Sequence, residues 1–217
     1  MKKHLYGSLI KKRQNSVYEG YHNLAEYHEG FYECNHVSPY SLGAGNLDAK
    51  VMYFLQDWIG HDRLLGPVDK DCAKFGCAPK LPTNRNLERW LDKYLGVKKQ
   101  ETFGTNIFPY IKDGLMSAGL KSKDINRAAA EFALPMINIV QPQVVIAFGL
   151  TTYNGLRSAA GLKKVSGLSE AIEASFKIGG AEVFCLAHPG QLGTNSRNRN
   201  NKTQVAADWE KVAQRIH

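Results

Sequence analysis

Five consecutive apolar residues, Val144-Val145-Ile146-Ala147-Phe148, stand between Pro142 and Gly149. A strand with no polar side chain on either face has to be covered on both faces. That is the habit of interior strands in parallel sheets flanked by helices. Val51-Met52-Tyr53-Phe54-Leu55 and Val183-Phe184-Cys185-Leu186-Ala187 have the same character. Three such runs separated by helical periodicity constrain the chain to an α/β fold, a three-layer α/β/α sandwich with a mostly parallel central sheet.

The segments between the runs carry the helical signals. Thr83 is placed to cap a helix with Leu87, Trp90, Leu91, Tyr94 and Leu95 on one face, stopped at Gly96. A short extended segment runs from Glu101 to Phe108. Asp124 is placed to cap a second helix, striped by Ile125, Ala128, Phe132, Met136 and Ile139, with a kink expected at Pro135. Thr151 to Ala160 reads as a helix stopped by Gly161, and a last helix carries Val205, Trp209, Val212 and Ile216 on one face. Residues 1–37 are basic and aromatic (Lys11, Lys12, Arg13, Tyr18, Tyr21, Tyr27, Tyr32). Leu24, Tyr27, His28 and Phe31 keep roughly helical spacing, so this stretch is expected to pack as a helical segment across the sheet edge.

A chain of 217 residues with no repeat, low-complexity tract or linker is expected to form one domain. Its net charge of +8 favours an acidic partner, nucleic acid first. No apolar run approaches the ~20 residues that cross a bilayer, and no signal-peptide core follows the basic start. The expectation is a cytoplasmic monomer that does not engage membranes. The four cysteines, Cys34, Cys72, Cys77 and Cys185, include no Cys-x-x-Cys spacing, and Cys185 falls inside an apolar strand. No metal or other cofactor is expected.

Chemistry concentrates where the runs end. Gln56-Asp57-Trp58 follows the first run and His188-Pro189-Gly190-Gln191-Leu192-Gly193-Thr194-Asn195 follows the last. Open α/β sheets place ligands at the carboxyl ends of their strands. Gly104-Thr105-Asn106-Ile107-Phe108-Pro109 lies between them in sequence. Asn195 to Lys202 contains no apolar residue and reads as a solvated loop, with Arg197, Arg199 and Lys202 suited to phosphate.

Three motifs in this order resemble the uracil-DNA glycosylase superfamily over roughly Ser38 to the carboxyl terminus. The first looks like that family's water-activating Gln-Asp motif, the second like its base-reading Asn, the third like its His-Pro-Ser-Pro-Leu-Ser loop. The strand and glycine turn Val144 to Gly149 also matches the place families of this fold give them. The resemblance implies a monofunctional DNA glycosylase that hydrolyses the N-glycosidic bond of uracil in DNA, single- or double-stranded, and releases free uracil. Other modified bases are further candidates. Asp57 and His188 are then catalytic, and Gln56 and Asn106 bind the base. Phe75, with Phe108 second, is the candidate to stack on it. Gly190, Gln191, Leu192, Asn195, Arg197, Arg199 and Lys202 contact DNA, Leu192 as the wedge that fills the space left by a flipped base.

The residue types suit the chemistry. Glycosidic cleavage passes through an oxocarbenium-like sugar while the leaving base gains negative charge. A carboxylate stabilises the cation and orients water; a neutral imidazole donates one N–H to the base oxygen. One amide offers an acceptor and a donor together, which matches uracil's N3–H and O4 and mismatches cytosine.

The chain departs from the pattern in two places. Trp58-Ile59-Gly60-His61 replaces Pro-Tyr-His after the aspartate, and Gly190 replaces the serine after His188-Pro189. Some relatives hold an iron-sulfur cluster on four cysteines, which the spacing here does not favour. The alternatives are a non-catalytic nucleic-acid-binding protein of the same fold and a metal-dependent phosphoesterase using Asp57, Asp69, Asp71, His61 and His188. The second lacks a recognisable ligand spacing. Gly43-Ala44-Gly45 precedes a strand and so does not form a nucleotide-binding loop.

Overall fold

The computed structural model describes residues 1–216. Its strands are β1 (Tyr21–His22), β2 (Val51–Leu55), β3 (Phe103–Asn106), β4 (Ile111–Lys112), β5 (Val144–Phe148), β6 (Phe176–Ile178) and β7 (Ala181–Leu186). Its helices are α1 (Lys2–Asn15), α2 (His61–Leu64), α3 (Lys70–Phe75), α4 (Pro82–Leu95), α5 (Ser122–Ala128), α6 (Leu134–Val140), α7 (Leu150–Ala159), α8 (Leu168–Glu173), α9 (Gln191–Arg197) and α10 (Gln204–Ile216). Five strands form the central sheet in the order β3-β2-β5-β7-β6. All neighbours are parallel except the antiparallel edge strand β6. β1 and β4 form a separate antiparallel ribbon.

The three apolar runs are the three central strands, and their alternation feeds two cores. Met52, Phe54, Val145, Ala147, Val183 and Cys185 point into one, where α1, α5, α6 and α7 pack. Val51, Tyr53, Leu55, Val144, Ile146, Phe148, Phe184 and Leu186 point into the other, covered by α4 and α10. Tyr94 and Trp90 of α4 meet Trp209 of α10 at 5.9 Å each between ring centroids. The expected three-layer α/β/α arrangement is therefore the observed one. β2 leads onward to β3 on one side, while β5, its other neighbour, leads to β7. The two connections diverge there, which opens a crevice at the carboxyl ends.

Several local expectations change. The amino-terminal helix is α1, upstream of the Leu24 to Phe31 pattern. Its Tyr6 packs edge-on against Phe103 of the edge strand, 5.6 Å between centroids. Residues 24–31 form two short 3-10 turns, because His28 and Glu29 take left-handed backbone (φ 48° and 55°) that no α-helix can continue. Arg13 is fully buried, bidentate to Glu33 at 2.7 and 2.5 Å, so it braces the fold. Thr83 sits inside the first turn of α4, whose N-cap is Leu81. Asp124 lies inside α5 and accepts a hydrogen bond from Tyr21 Oη at 2.9 Å. Pro135 does interrupt the long helix. A π turn at Ala129–Ala133 precedes it, because proline lacks the N–H that Glu131's carbonyl would take. The loop expected from Asn195 begins as helix α9, and Arg197 ends it. In α10, Val205, Trp209 and Val212 are buried as expected; the side chain of Ile216 lies outside the described residues. No described helix is long and apolar enough to cross a membrane.

Candidate active site

Asp57 stands two residues beyond β2, and His188 two residues beyond β7. Both line one cavity of about 590 Å³ at the carboxyl end of the sheet. Its other walls come from Tyr40, Leu55, Trp58 and Ile59, from Cys72 and Cys77, and from Leu115 and Met116. Two residues 131 positions apart in the chain converge because parallel strands carry them to the same sheet edge.

The imidazole of His188 has one defined tautomer. The backbone N–H of Gly190 donates to Nδ1 at 3.0 Å, so Nδ1 is the acceptor and the ring proton sits on Nε2. Burial lowers the His188 pKa below its ordinary value, outweighing the Asp57 carboxylate, which acts the other way. The ring is thus neutral at pH 7 and keeps one N–H to donate. Gly190 is required by this packing. A Cβ there would sit 2.9 Å from both His188 Nδ1 and Thr83 Oγ1, and one on Gly193 would sit 2.3 Å from the His188 carbonyl oxygen. The expected serine hydroxyl is therefore traded for close approach of backbone to imidazole.

Asp57 is nearly buried, and a residue missed in the sequence reading faces it. Lys112 Nζ of β4 lies 2.7 Å from Asp57 Oδ2, with the two side chains 3% and 6% exposed. The ammonium is aligned on the Met116 carbonyl at 2.6 Å instead, which leaves Oδ2 close to a charge yet without a hydrogen-bond donor. Gln56 Nε2 donates to Asp57 Oδ1 at 3.0 Å. The carboxylate is thus held on both oxygens, by the Gln56 amide on Oδ1 and by the Lys112 charge beside the buried Oδ2. Lys112 carries no motif signal. Only the bridge between Gly60 and Lys112, which lays the β4 ribbon beside the Asp57 loop, brings it in.

Asn106 ends β3, directly beside Leu55 of β2. It is 1% exposed; Oδ1 accepts from Ser38 Oγ at 2.6 Å, and Nδ2 has no partner. Asn106 and Gln56 share the strand ends with Asp57 but lie behind the cavity wall.

Neither stacking candidate is on that wall. Phe108 is fully buried among Tyr18, Tyr21 and Tyr110, because it turns into the α1-side core. Phe75 is 40% exposed outside the cavity, under the ammonium of Lys74. The aromatic walls are Tyr40 and Trp58. Trp58 is fixed by a 2.7 Å hydrogen bond from Nε1 to the Gly76 carbonyl. The sequence offered no signal for Tyr40, which arrives from a 3-10 turn far from any motif.

The segment after His188, which runs into helix α9, projects outward. Leu192 is 87% exposed, the most exposed leucine of the described chain, and Gln191, Asn195, Arg199 and Lys202 are exposed with it. Arg197 is not free for phosphate. Its guanidinium is bidentate to buried Asp208 at 2.6 and 2.9 Å and also reaches Ser169, which ties α9 to α10. Asn86 Nδ2 holds the Pro189 carbonyl at 2.8 Å, and Arg89 hydrogen-bonds Asn86, adding a cation near this edge.

Among the described residues one group of His, Asp, Cys or Glu side chains is close enough to share a metal ion: His22, His61 and Asp113. Its two imidazoles stack at 4.6 Å and 23°, so their planes do not converge on a common point. Glu26, Asp113 and Tyr27 hydrogen-bond their nitrogens, which makes the cluster a polar network. Cys72 and Cys77 lie on the cavity wall, while Cys185 points into the opposite core.

The sequence profile of the uracil DNA glycosylase superfamily matches residues 66–213, more than half of the chain. The chain belongs to that superfamily. The match contains Asn106 and His188; Asp57 lies upstream of it, so the place of Asp57 rests on the geometry above. Comparison with individual curated proteins gives no match. Membership of that superfamily points to a glycosylase-like function, with DNA as the substrate the family implies.

Proposed function

We propose that this protein removes uracil from DNA by flipping the nucleotide into the cavity and hydrolysing its glycosidic bond with water. The observation that carries the reading is the pairing, in one cavity at the sheet's carboxyl edge, of an oriented carboxylate with a neutral imidazole that donates from Nε2. Asp57 stabilises the oxocarbenium-like sugar and orients the water that attacks C1′. His188 Nε2–H donates to the base oxygen beside the scissile nitrogen, where negative charge gathers. Asn106 reads the N3–H and O4 edge, which requires the base to reach past the cavity wall to the end of β3. The test is release of free uracil from single-stranded and duplex oligonucleotides with chelator in excess. Uracil is expected from both, and a reaction abolished by chelator overturns the reading.

The exposed first turn of α9 supplies the flipping tool. Leu192 touches no core, so Leu192→Ala is expected to leave the melting temperature unchanged; a buried leucine would lose roughly 2–5 kcal/mol. In duplex DNA it should cut excision at least tenfold, because extrusion costs a few kcal/mol that an inserted side chain offsets. On a single strand the loss should be small. Equal losses on both substrates would count against the wedge. Arg199, Lys202 and Asn195 serve phosphates in this reading, and Arg197 holds the platform they stand on.

A further inference from the structure

We infer that Ser38, a residue outside every motif, fixes which way round the Asn106 amide reads a base, and so sets the class of base accepted. The inference rests on the glycosylase reading above and adds a positioning residue to it.

Ser38 is fully buried at the start of the 3-10 turn that delivers Tyr40 to the cavity wall. The backbone N–H of Tyr40 points at Ser38 Oγ from 3.4 Å, and Ser38 Oγ stands 2.6 Å from Asn106 Oδ1. With a donor already aimed at its lone pairs, the hydroxyl turns its own hydrogen to Asn106. Only a carbonyl oxygen can accept it there. The relay Tyr40 N–H to Ser38 O–H to Asn106 Oδ1 thus selects one of the two amide orientations.

The other half of the amide shows what the selection is for. Asn106 Nδ2 is buried and has no acceptor. A buried donor without a partner calls for an explanation, and at a strand end beside Asp57 a role toward a ligand supplies one. Fixed in this way, the amide presents a free donor next to an oxygen that retains a second lone pair. That pattern complements a ring N–H adjacent to a carbonyl. Uracil presents it through N3–H and O4; hypoxanthine presents it through N1–H and O6. Deamination of cytosine and adenine produces this edge in each case. The parent bases present a bare ring nitrogen beside an amino group and meet the amide donor to donor. Without the Ser38 hydroxyl the amide can rotate to the reverse pattern, and discrimination weakens.

The test is a mutant cycle on single-stranded oligonucleotides carrying one uracil or one cytosine, under single-turnover conditions. Wild type, Ser38→Ala, Ser38→Thr, Asn106→Ala and the Ser38→Ala/Asn106→Ala double variant are compared, with melting temperatures alongside. Ser38→Ala is expected to slow uracil excision about tenfold and to lower the uracil-to-cytosine ratio by a similar factor. Ser38→Thr keeps the hydroxyl and should restore the ratio. In the Asn106→Ala background, loss of Ser38 should change nothing further. Losses that multiply in the double variant, or a Ser38→Ala ratio equal to wild type, would overturn the inference. Absence of uracil excision by the wild-type protein would instead fail the glycosylase reading itself.

Discussion

Asp57→Asn is expected to lower single-turnover uracil release by on the order of 10² or more while the protein stays folded and binds DNA. The amide keeps the shape and the contact with Gln56 but removes the charge that faces the developing sugar cation, a loss in the range of a missing electrostatic or general-base group. His188 magnifies the dependence. Its proton remains on Nε2 as a neutral donor, so it stabilises the leaving base without contributing charge of its own toward the sugar. The Asp57 carboxylate acts on that imidazole across the cavity, against the effect of burial. Quench-flow or gel-based assay of abasic sites against time measures the effect. A variant as fast as its parent removes Asp57 from the chemistry.

The second large effect is on stability. Lys112→Met removes one member of a buried ion pair and strands the other, a change that costs about 3–5 kcal/mol when no solvent reaches the remaining charge. For a chain of this length that is a drop in melting temperature on the order of 10 °C. The double variant Asp57→Asn/Lys112→Met leaves no charge stranded and should recover much of the loss. Neighbouring groups that share one interaction are non-additive in this way. Simple addition of the two single effects in thermal melts would show that the pair is not coupled. The comparison also separates two roles of Lys112, since excision by the double variant should stay as low as by Asp57→Asn alone.

Much of this architecture was legible in the amino-acid sequence, for a physical reason. Strands buried on both faces must be apolar throughout, so β2, β5 and β7 announce themselves, and the residues that follow them are thereby placed at a sheet edge. Asp57 and His188 were found by that logic. What escaped was whatever depends on a contact between distant segments. Lys112 reads as one more surface lysine until the β4 ribbon lays it against Asp57. Arg197 reads as a phosphate ligand because nothing local reveals Asp208 one helix later. Phe108 follows Asn106 by two residues and stood second among the candidates to stack on the base. The chain leaves the strand at Asn106, and Phe108 turns into the core. The left-handed residues His28 and Glu29 likewise broke a helix that spacing alone suggested, since side-chain periodicity says nothing about φ.

The contact of Gly190 and Gly193 with His188 bears on how binding of DNA is felt at the imidazole. Backbone on both sides of the imidazole is packed too closely for a Cβ, and the helix that starts at Gln191 is locked onto the carboxyl-terminal helix through Arg197 and Asp208. The exposed Leu192 side chain and the imidazole therefore belong to one braced unit, and in the glycosylase reading a push by DNA on the tip of this helix is passed to the ring that faces the base.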